Sequence, residues 1–304
     1  MKHLKGLIAA PFTPFRKNGG LNLPMVEKLA ASLVANKVSG AFVCGTTGEG
    51  VSMTTAERMK VAARWQACAG TKLRVIVHVG HTSLGDSRAL AAHAQKIGAA
   101  AVGCMAPFCF KPSKADDLVA FCAEVAAAAP DLPFYYYHIP CVTGVTIPAF
   151  DFLRAAADRI PNLAGIKFTH ENLMDFAACV RWEGGRFDAL FGRDEMMLSG
   201  LAVGAVGAIG STFNYAAPVY HRIIAAFNRG DLEAAREEQA RANAMIAVLI
   251  RYGGMPPAGK GFMKAVGLDC GTARLPLRPL TAAQAEELRA EAESIGFFDF
   301  ASRC

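Results

Sequence analysis

Leu163-Ala164-Gly165-Ile166-Lys167-Phe168-Thr169 is a short apolar run, bounded by Pro161-Asn162 ahead and by the polar Thr169-His170-Glu171 behind. It reads as a buried β-strand with a lysine at its far end. A helical stretch follows near 171–182 and another strand-like run near 187–191, and the alternation continues in both directions. Strand-like runs lie near 4–10, 40–44, 73–79, 100–105, 133–138, 163–168, 187–191 and 205–210. Helical stretches lie near 24–37, 55–69, 84–97, 114–129, 148–158, 171–182, 195–202 and 216–229. Thr54-Thr55-Ala56-Glu57 is a capping box, and Ser113-Lys114-Ala115-Asp116 a weaker one. Strand–helix units repeated in this way over residues 1–230 predict an α/β fold, a (β/α)8 TIM barrel. A doubly wound sheet would need a Gly-rich nucleotide turn after the first strand, where the chain has Pro11-Phe12-Thr13-Pro14.

After residue 230 the strands stop. Asp231-Leu232-Glu233-Ala234-Ala235 opens a long helix to about Tyr252, Gly253-Gly254 and Pro256-Pro257 follow, and two more helices are expected near 258–267 and from Thr281. Residues 231–304 therefore read as a C-terminal helical extension packed on the barrel.

The chain of 304 residues is 53% hydrophobic with a mean hydropathy of +0.25, enough to bury a large core. No apolar stretch is long and charge-free enough to span a membrane. The start, Met1-Lys2-His3-Leu4-Lys5-Gly6-Leu7-Ile8-Ala9-Ala10-Pro11, is too short in its apolar part for a signal peptide and reads as a first strand in a cytoplasmic protein. The nine cysteines are scattered without a Cys-x-x-Cys pair or zinc spacing, which suits small core residues of a reducing compartment. A net charge of +6 without a basic run argues against nucleic acid as a partner. No metal and no cofactor are expected.

In a parallel barrel every strand ends on one rim, where chemistry gathers. Lys167 at the end of strand six is partly desolvated there, which disfavours the ammonium and frees an amine for attack on a ketone. Phe134-Tyr135-Tyr136-Tyr137-His138 is strand five; its period of two puts Tyr135 and Tyr137 on one side and Tyr136 on the other. Consecutive strands are neighbours, so Tyr137 lies beside Lys167, a phenol acid/base next to an amine nucleophile. Strand two ends in Gly45-Thr46-Thr47-Gly48-Glu49-Gly50, a turn of glycines and hydroxyls that can cradle a carboxylate or phosphate. Strand seven ends in Gly192-Arg193-Asp194-Glu195 and strand eight in Gly210-Ser211-Thr212. Two carboxylates there would repel a phosphate but accept hydrogen bonds from a polyhydroxylated chain. The rim is thus equipped for a Schiff-base aldolase acting on an unphosphorylated sugar acid.

Gly45-Thr46-Thr47-Gly48-Glu49, Tyr137 with Ile139-Pro140 and Thr143-Gly144, Gly165-Ile166-Lys167, and Gly207-Ala208-Ile209-Gly210-Ser211 carry a resemblance over essentially the full length. They resemble the dihydrodipicolinate synthase/N-acetylneuraminate lyase superfamily. Within it Leu132-Pro133-Phe134-Tyr135-Tyr136-Tyr137-His138-Ile139-Pro140 and Ala106-Pro107-Phe108-Cys109-Phe110-Lys111-Pro112 are most similar to the animal-type lyases. The resemblance implies Lys167 as the Schiff-base lysine and Tyr137 as the proton donor. It implies Thr46 and Thr47 as the holders of a 2-oxo acid carboxylate, and Thr169, Gly192, Asp194, Glu195 and Ser211 as contacts to the sugar chain. The implied reaction is a class I aldolase cleavage of N-acetylneuraminate to pyruvate and N-acetylmannosamine by a homo-oligomer, a tetramer or dimer.

Two alternatives stay open, namely another pyruvate-dependent aldolase or dehydratase for a different sugar acid and a dihydrodipicolinate synthase-like condensation. A third is a non-catalytic binding barrel. The synthases carry an arginine where this chain has Val142, which counts against the condensation. Arg193 stands where the lyases usually have an uncharged residue, and Phe108-Cys109-Phe110 lacks a tyrosine that some bacterial members use.

Overall fold

A computed structural model describes residues 3–303. Eight parallel strands close into a barrel in the order β1-β2-β3-β4-β5-β6-β7-β8. They are β1 (Gly6–Ala9), β2 (Gly40–Val43), β3 (Arg74–His78), β4 (Ala101–Met105), β5 (Phe134–His138), β6 (Leu163–Phe168), β7 (Asp188–Phe191) and β8 (Gly207–Gly210). Closure comes from β1 pairing with β8, Gly6 against Gly207 through Ala9 against Gly210. Around the barrel run α1 (Met25–Ala35), α2 (Thr55–Ala69), α3 (Leu84–Lys96), α4 (Ala115–Ala127), α5 (Pro140–Thr143), α6 (Ala149–Ala156), α7 (Leu173–Arg181), α8 (Met197–Ala202) and α9 (Phe213–Asn228). Three helices follow: α10 (Leu232–Arg251), α11 (Pro257–Ala265) and α12 (Ala282–Ser294). The α/β TIM barrel expected from the alternation is the observed fold, and every expected strand is present.

Local chemistry sets the helix starts. The Thr54 box is formed in full, with its hydroxyl accepting from Glu57 N and Glu57 reaching back to Thr54 N. The one expected at Ser113 is not: α4 starts from Lys114, which offers no side-chain cap, so its first turn relies on Asp116 and Asp117. The helix expected from residue 216 begins at Phe213 and bends, because Ala216 leaves helical geometry (φ −139°, ψ 26°) just before Pro218, which cannot donate. The short α5 was not foreseen.

Parity along the strands divides the core. Ile8, Phe42, Ile76, Met105, Tyr135, Tyr137, Leu190 and Ile209 fill the barrel interior. Tyr136, Ile166 and Phe168 belong instead to the larger layer between strands and helices. The interior is plugged at the N-terminal end by Asp188, whose carboxylate accepts from Tyr135 Oη at 2.7 Å and Leu4 N at 3.1 Å and meets His3 Nδ1 at 2.6 Å. The opposite end, where the strands terminate, holds the cavity that gathers the expected site residues.

Of the cysteines, Cys44, Cys104, Cys122, Cys179 and Cys270 are buried thiols, Cys68 is half-buried and Cys109 and Cys141 are exposed. Met1, Lys2 and Cys304 lie outside the described residues, so the parts of the leader and cysteine readings that fall on them do too. No helix among the described residues is long and apolar enough to cross a membrane.

Candidate active site

The geometry of the site starts from an irregularity in β6. Phe134 pairs with Leu163 but Tyr135 pairs with Gly165, so Ala164 is bulged out of the ladder. Beyond the bulge Tyr137 aligns with Lys167. Without it, the same pairing would set Tyr137 against Ile166 and turn Lys167 to the helix side. Gly165 makes this possible: a Cβ on it would fall 2.0 Å from the carbonyl oxygen of Asp188 on β7. Gly165→Ala is therefore expected to destabilise the fold by about 3 kcal/mol, as overpacking does when backbone must move. Urea denaturation checks this, and an unchanged midpoint would refute the role given to the bulge.

Lys167 is 3% exposed. Its Nζ donates to Thr169 Oγ1 at 2.9 Å and lies 3.6 Å from the centre of the Tyr137 ring and 5.5 Å from that of Phe42. Tyr137 is held edge-on by Phe42 and His78, at centroid distances of 5.5 and 5.8 Å. Burial, with Arg58 adding to it, keeps His78 well below its usual pKa, and its Nδ1–H donates to Cys44 O, 3.1 Å away. Amine, phenol ring and the Thr169 hydroxyl thus form one rigid cluster at the rim.

All nine residues singled out from the sequence, Lys167, Tyr137, Thr46, Thr47, Thr169, Gly192, Asp194, Glu195 and Ser211, line one cavity of about 320 Å³. The Gly45–Gly50 turn is folded on itself, with Glu49 N bonded to Thr46 O and Gly50 N to Gly45 O, both at 3.0 Å. Gly50 sits so close to Cys44 that a Cβ would lie 1.9 Å from its carbonyl oxygen. Opposite, Asp194 Oδ2 accepts from Thr212 N at 2.9 Å and Thr212 Oγ1 at 2.7 Å, and Ser211 Oγ is 3.5 Å away. Burial raises the Asp194 pKa, and the Thr212 hydrogen bonds oppose that shift. This carboxylate is anchored to the turn between β8 and α9 as well as lining the cavity, which the sequence did not indicate.

Arg193 does not reach Asp194. It donates to Glu195 Oε1 at 3.2 Å and to Glu171 on the loop after β6, a carboxylate that also meets His170 Nδ1 at 3.1 Å. The hydrogen bond from Arg193 holds Glu171 down at a pKa of about 2. Val142, on α5, is 47% exposed and is not part of the cavity lining.

The apolar wall comes from elements that the sequence reading did not place at the site. Ile246, Leu249 and Ile250 of α10, with Gly254 and Met255 beyond it, line the same cavity as the Lys167 cluster. Ile250 is 67% exposed, and its spacing with Ile246 and Leu249 on one helix face was the available signal. Among the described residues no group of three or more His, Cys, Asp or Glu side chains converges as a metal site.

The model of the dihydrodipicolinate synthetase family matches residues 3–295. N-acetylneuraminate lyase of Rattus norvegicus is 42% identical over 303 residues, 98% of this chain and 95% of that protein. The Xenopus tropicalis protein of the same name is 46% identical over 279 residues, 91% of each. Among solved structures, Proteus mirabilis N-acetylneuraminate lyase superposes with a TM-score of 0.95 at 44% identity, covering 97% of this chain and 100% of that one. A family match across nearly the whole length, on a barrel whose rim gathers the expected lysine, tyrosine and hydroxyls, leaves one assignment: the chain belongs to the dihydrodipicolinate synthetase family.

Proposed function

We propose that this protein is a carbon–carbon lyase, a class I aldolase that cleaves N-acetylneuraminate to pyruvate and N-acetylmannosamine. The observation that carries the reading is the alignment of Lys167 with Tyr137 across β5 and β6, inside a cavity whose other walls are polar hydroxyls, two carboxylates and an apolar helix face. The relatives named as N-acetylneuraminate lyases support the substrate. The barrel, residues 1–230, carries the chemistry, and residues 231–304 are a helical extension that supplies the apolar wall.

In this mechanism the amine of Lys167 attacks the C2 ketone of the open-chain sugar acid, and loss of water gives an iminium. The Thr46–Thr47 turn holds the carboxylate through its hydroxyls and N–H groups. The C4 hydroxyl proton leaves by way of Tyr137 as C3–C4 breaks, and the electron pair moves into the iminium to form an enamine. N-acetylmannosamine departs; the enamine is protonated at C3, and water returns to release pyruvate and Lys167. Thr169, Gly192, Asp194, Glu195 and Ser211 contact the sugar chain. These steps need no metal and no cofactor. The assay is cleavage of N-acetylneuraminate followed by pyruvate release. Turnover of another sugar acid at a kcat/KM a hundredfold higher would move the substrate assignment within the superfamily. A condensation of the dihydrodipicolinate synthase kind has no support from Val142, which presents no cation to a second carboxylate.

Arg193 is the residue proposed to tune substrate choice, through Glu195. Arg193→Val should change the ratio of kcat/KM between N-acetylneuraminate and acyl- or chain-shortened analogues by about tenfold, roughly 1.4 kcal/mol in transition-state binding. An unchanged ratio across such a panel would reduce Arg193 to a tie between the loops after β6 and β7.

The active form is proposed to be a homo-oligomer, a dimer or tetramer. Phe110, 93% exposed beside the half-buried Phe108, supports an apolar contact there. A cytoplasmic location is proposed from the unpaired thiols.

A further inference from the structure

Glu49 ends the turn that carries Thr46 and Thr47, yet it is not part of the cavity lining. Its backbone is left-handed (φ 54°), unusual for a residue with a side chain, and its carboxylate is almost fully buried. Both carboxylate oxygens are taken by the C-terminal extension. Lys260 Nζ of α11 lies 2.7 Å from Oε1, and the Arg274 backbone N–H donates to Oε2 at 2.7 Å. Lys260 is itself buried, donates to Thr272 O at 2.9 Å, and lies 4.5 Å from the centre of the Phe15 ring. The Arg274 guanidinium lies 4.2 Å from the same ring and binds Ser52 O at 3.0 Å and both oxygens of Glu57. The turn is therefore fastened at Glu49 and again at Ser52, in each case to residues more than 200 positions away in the chain.

A buried ion pair is an inefficient way to gain stability, because desolvation consumes most of the attraction. What it does well is fix a geometry, and here the geometry fixed is that of a strained turn. Glu49 N is bonded to Thr46 O, so a displacement of Glu49 is passed directly to the threonine pair. We infer that Glu49 and Lys260 are positioning residues for the 2-oxo acid carboxylate: the helical extension clamps the Thr46–Thr47 cradle in its binding shape through this ion pair. The inference rests on the aldolase reading above and concerns the carboxylate alone, not the amine or the phenol.

The test is borohydride trapping of pyruvate on the full-length protein, read as both half-saturating pyruvate concentration and maximal label. Glu49→Gln and Lys260→Met should each raise the half-saturating concentration about tenfold, while saturating pyruvate still gives close to one label per chain. The double variant, which leaves no unpaired buried charge, should match a single variant and not the product of the two. It is read in their place if either single variant fails to fold. Leu288→Ala, a buried change in α12 outside the network, should lower thermal stability and leave half-saturation where it was. Half-saturation within twofold of wild type in the folded ion-pair variants would overturn the inference, as would an equal rise in Leu288→Ala. Absence of label on the wild-type protein would instead overturn the aldolase reading itself.

Discussion

Lys167→Met should remove turnover of N-acetylneuraminate by about 10⁴-fold or more, at least about 5 kcal/mol of transition-state stabilisation. Methionine keeps an unbranched chain of similar length in a position that is 3% exposed, so packing against Phe42 and Tyr137 is retained while the nucleophile is gone. No other lysine of the described residues lines the cavity. Steady-state pyruvate release, with a thermal melt alongside, separates lost chemistry from lost fold. Turnover within tenfold of wild type in a folded variant would remove Lys167 from the covalent step.

Tyr137→Phe should lower kcat by about 10²–10⁴, the usual contribution of a positioned acid/base group. The ring that lies 3.6 Å from Lys167 Nζ survives this change, as do its edge-on contacts with Phe42 and His78. Half-saturation by pyruvate should accordingly move little, and the loss should fall on the cleavage step. A variant with near wild-type kcat would assign proton transfer to another group, with Thr169 the nearest hydroxyl to the amine.

Much of this site was legible because a parallel barrel converts order in the chain into adjacency at the rim. Tyr137 and Lys167 are 30 residues apart in sequence, and knowing that β5 and β6 are consecutive strands was enough to place them side by side. Period two also separated Tyr137, inside the barrel, from Tyr136, outside it. What adjacency cannot supply is register. The bulge at Ala164 decides which face Lys167 takes, and it depends on how closely β7 approaches Gly165, a contact between strands rather than a property of either.

The helical extension was legible as helices but not as a wall of the cavity. Ile246, Leu249 and Ile250 form an ordinary apolar stripe, and only the fold decides what a stripe faces. The same holds for Asp194, read as a group for the sugar and found also bonded to Thr212, and for Glu49, whose partners Lys260 and Arg274 lie far along the chain. The misplaced starts of α4 and α9 have a different cause. Ser113 lies one residue before the actual N-cap, and Pro218 sits within a helix that bends instead of ending.

The central claim, that Lys167 forms a covalent imine with a 2-oxo acid, is tested most directly by reducing the protein with borohydride in the presence of pyruvate and locating the adduct by peptide mass mapping. One reduced pyruvate per chain is expected, on Lys167, and none when pyruvate is omitted. A label found mainly on Lys111 or Lys260, or no label at saturating pyruvate, would contradict it.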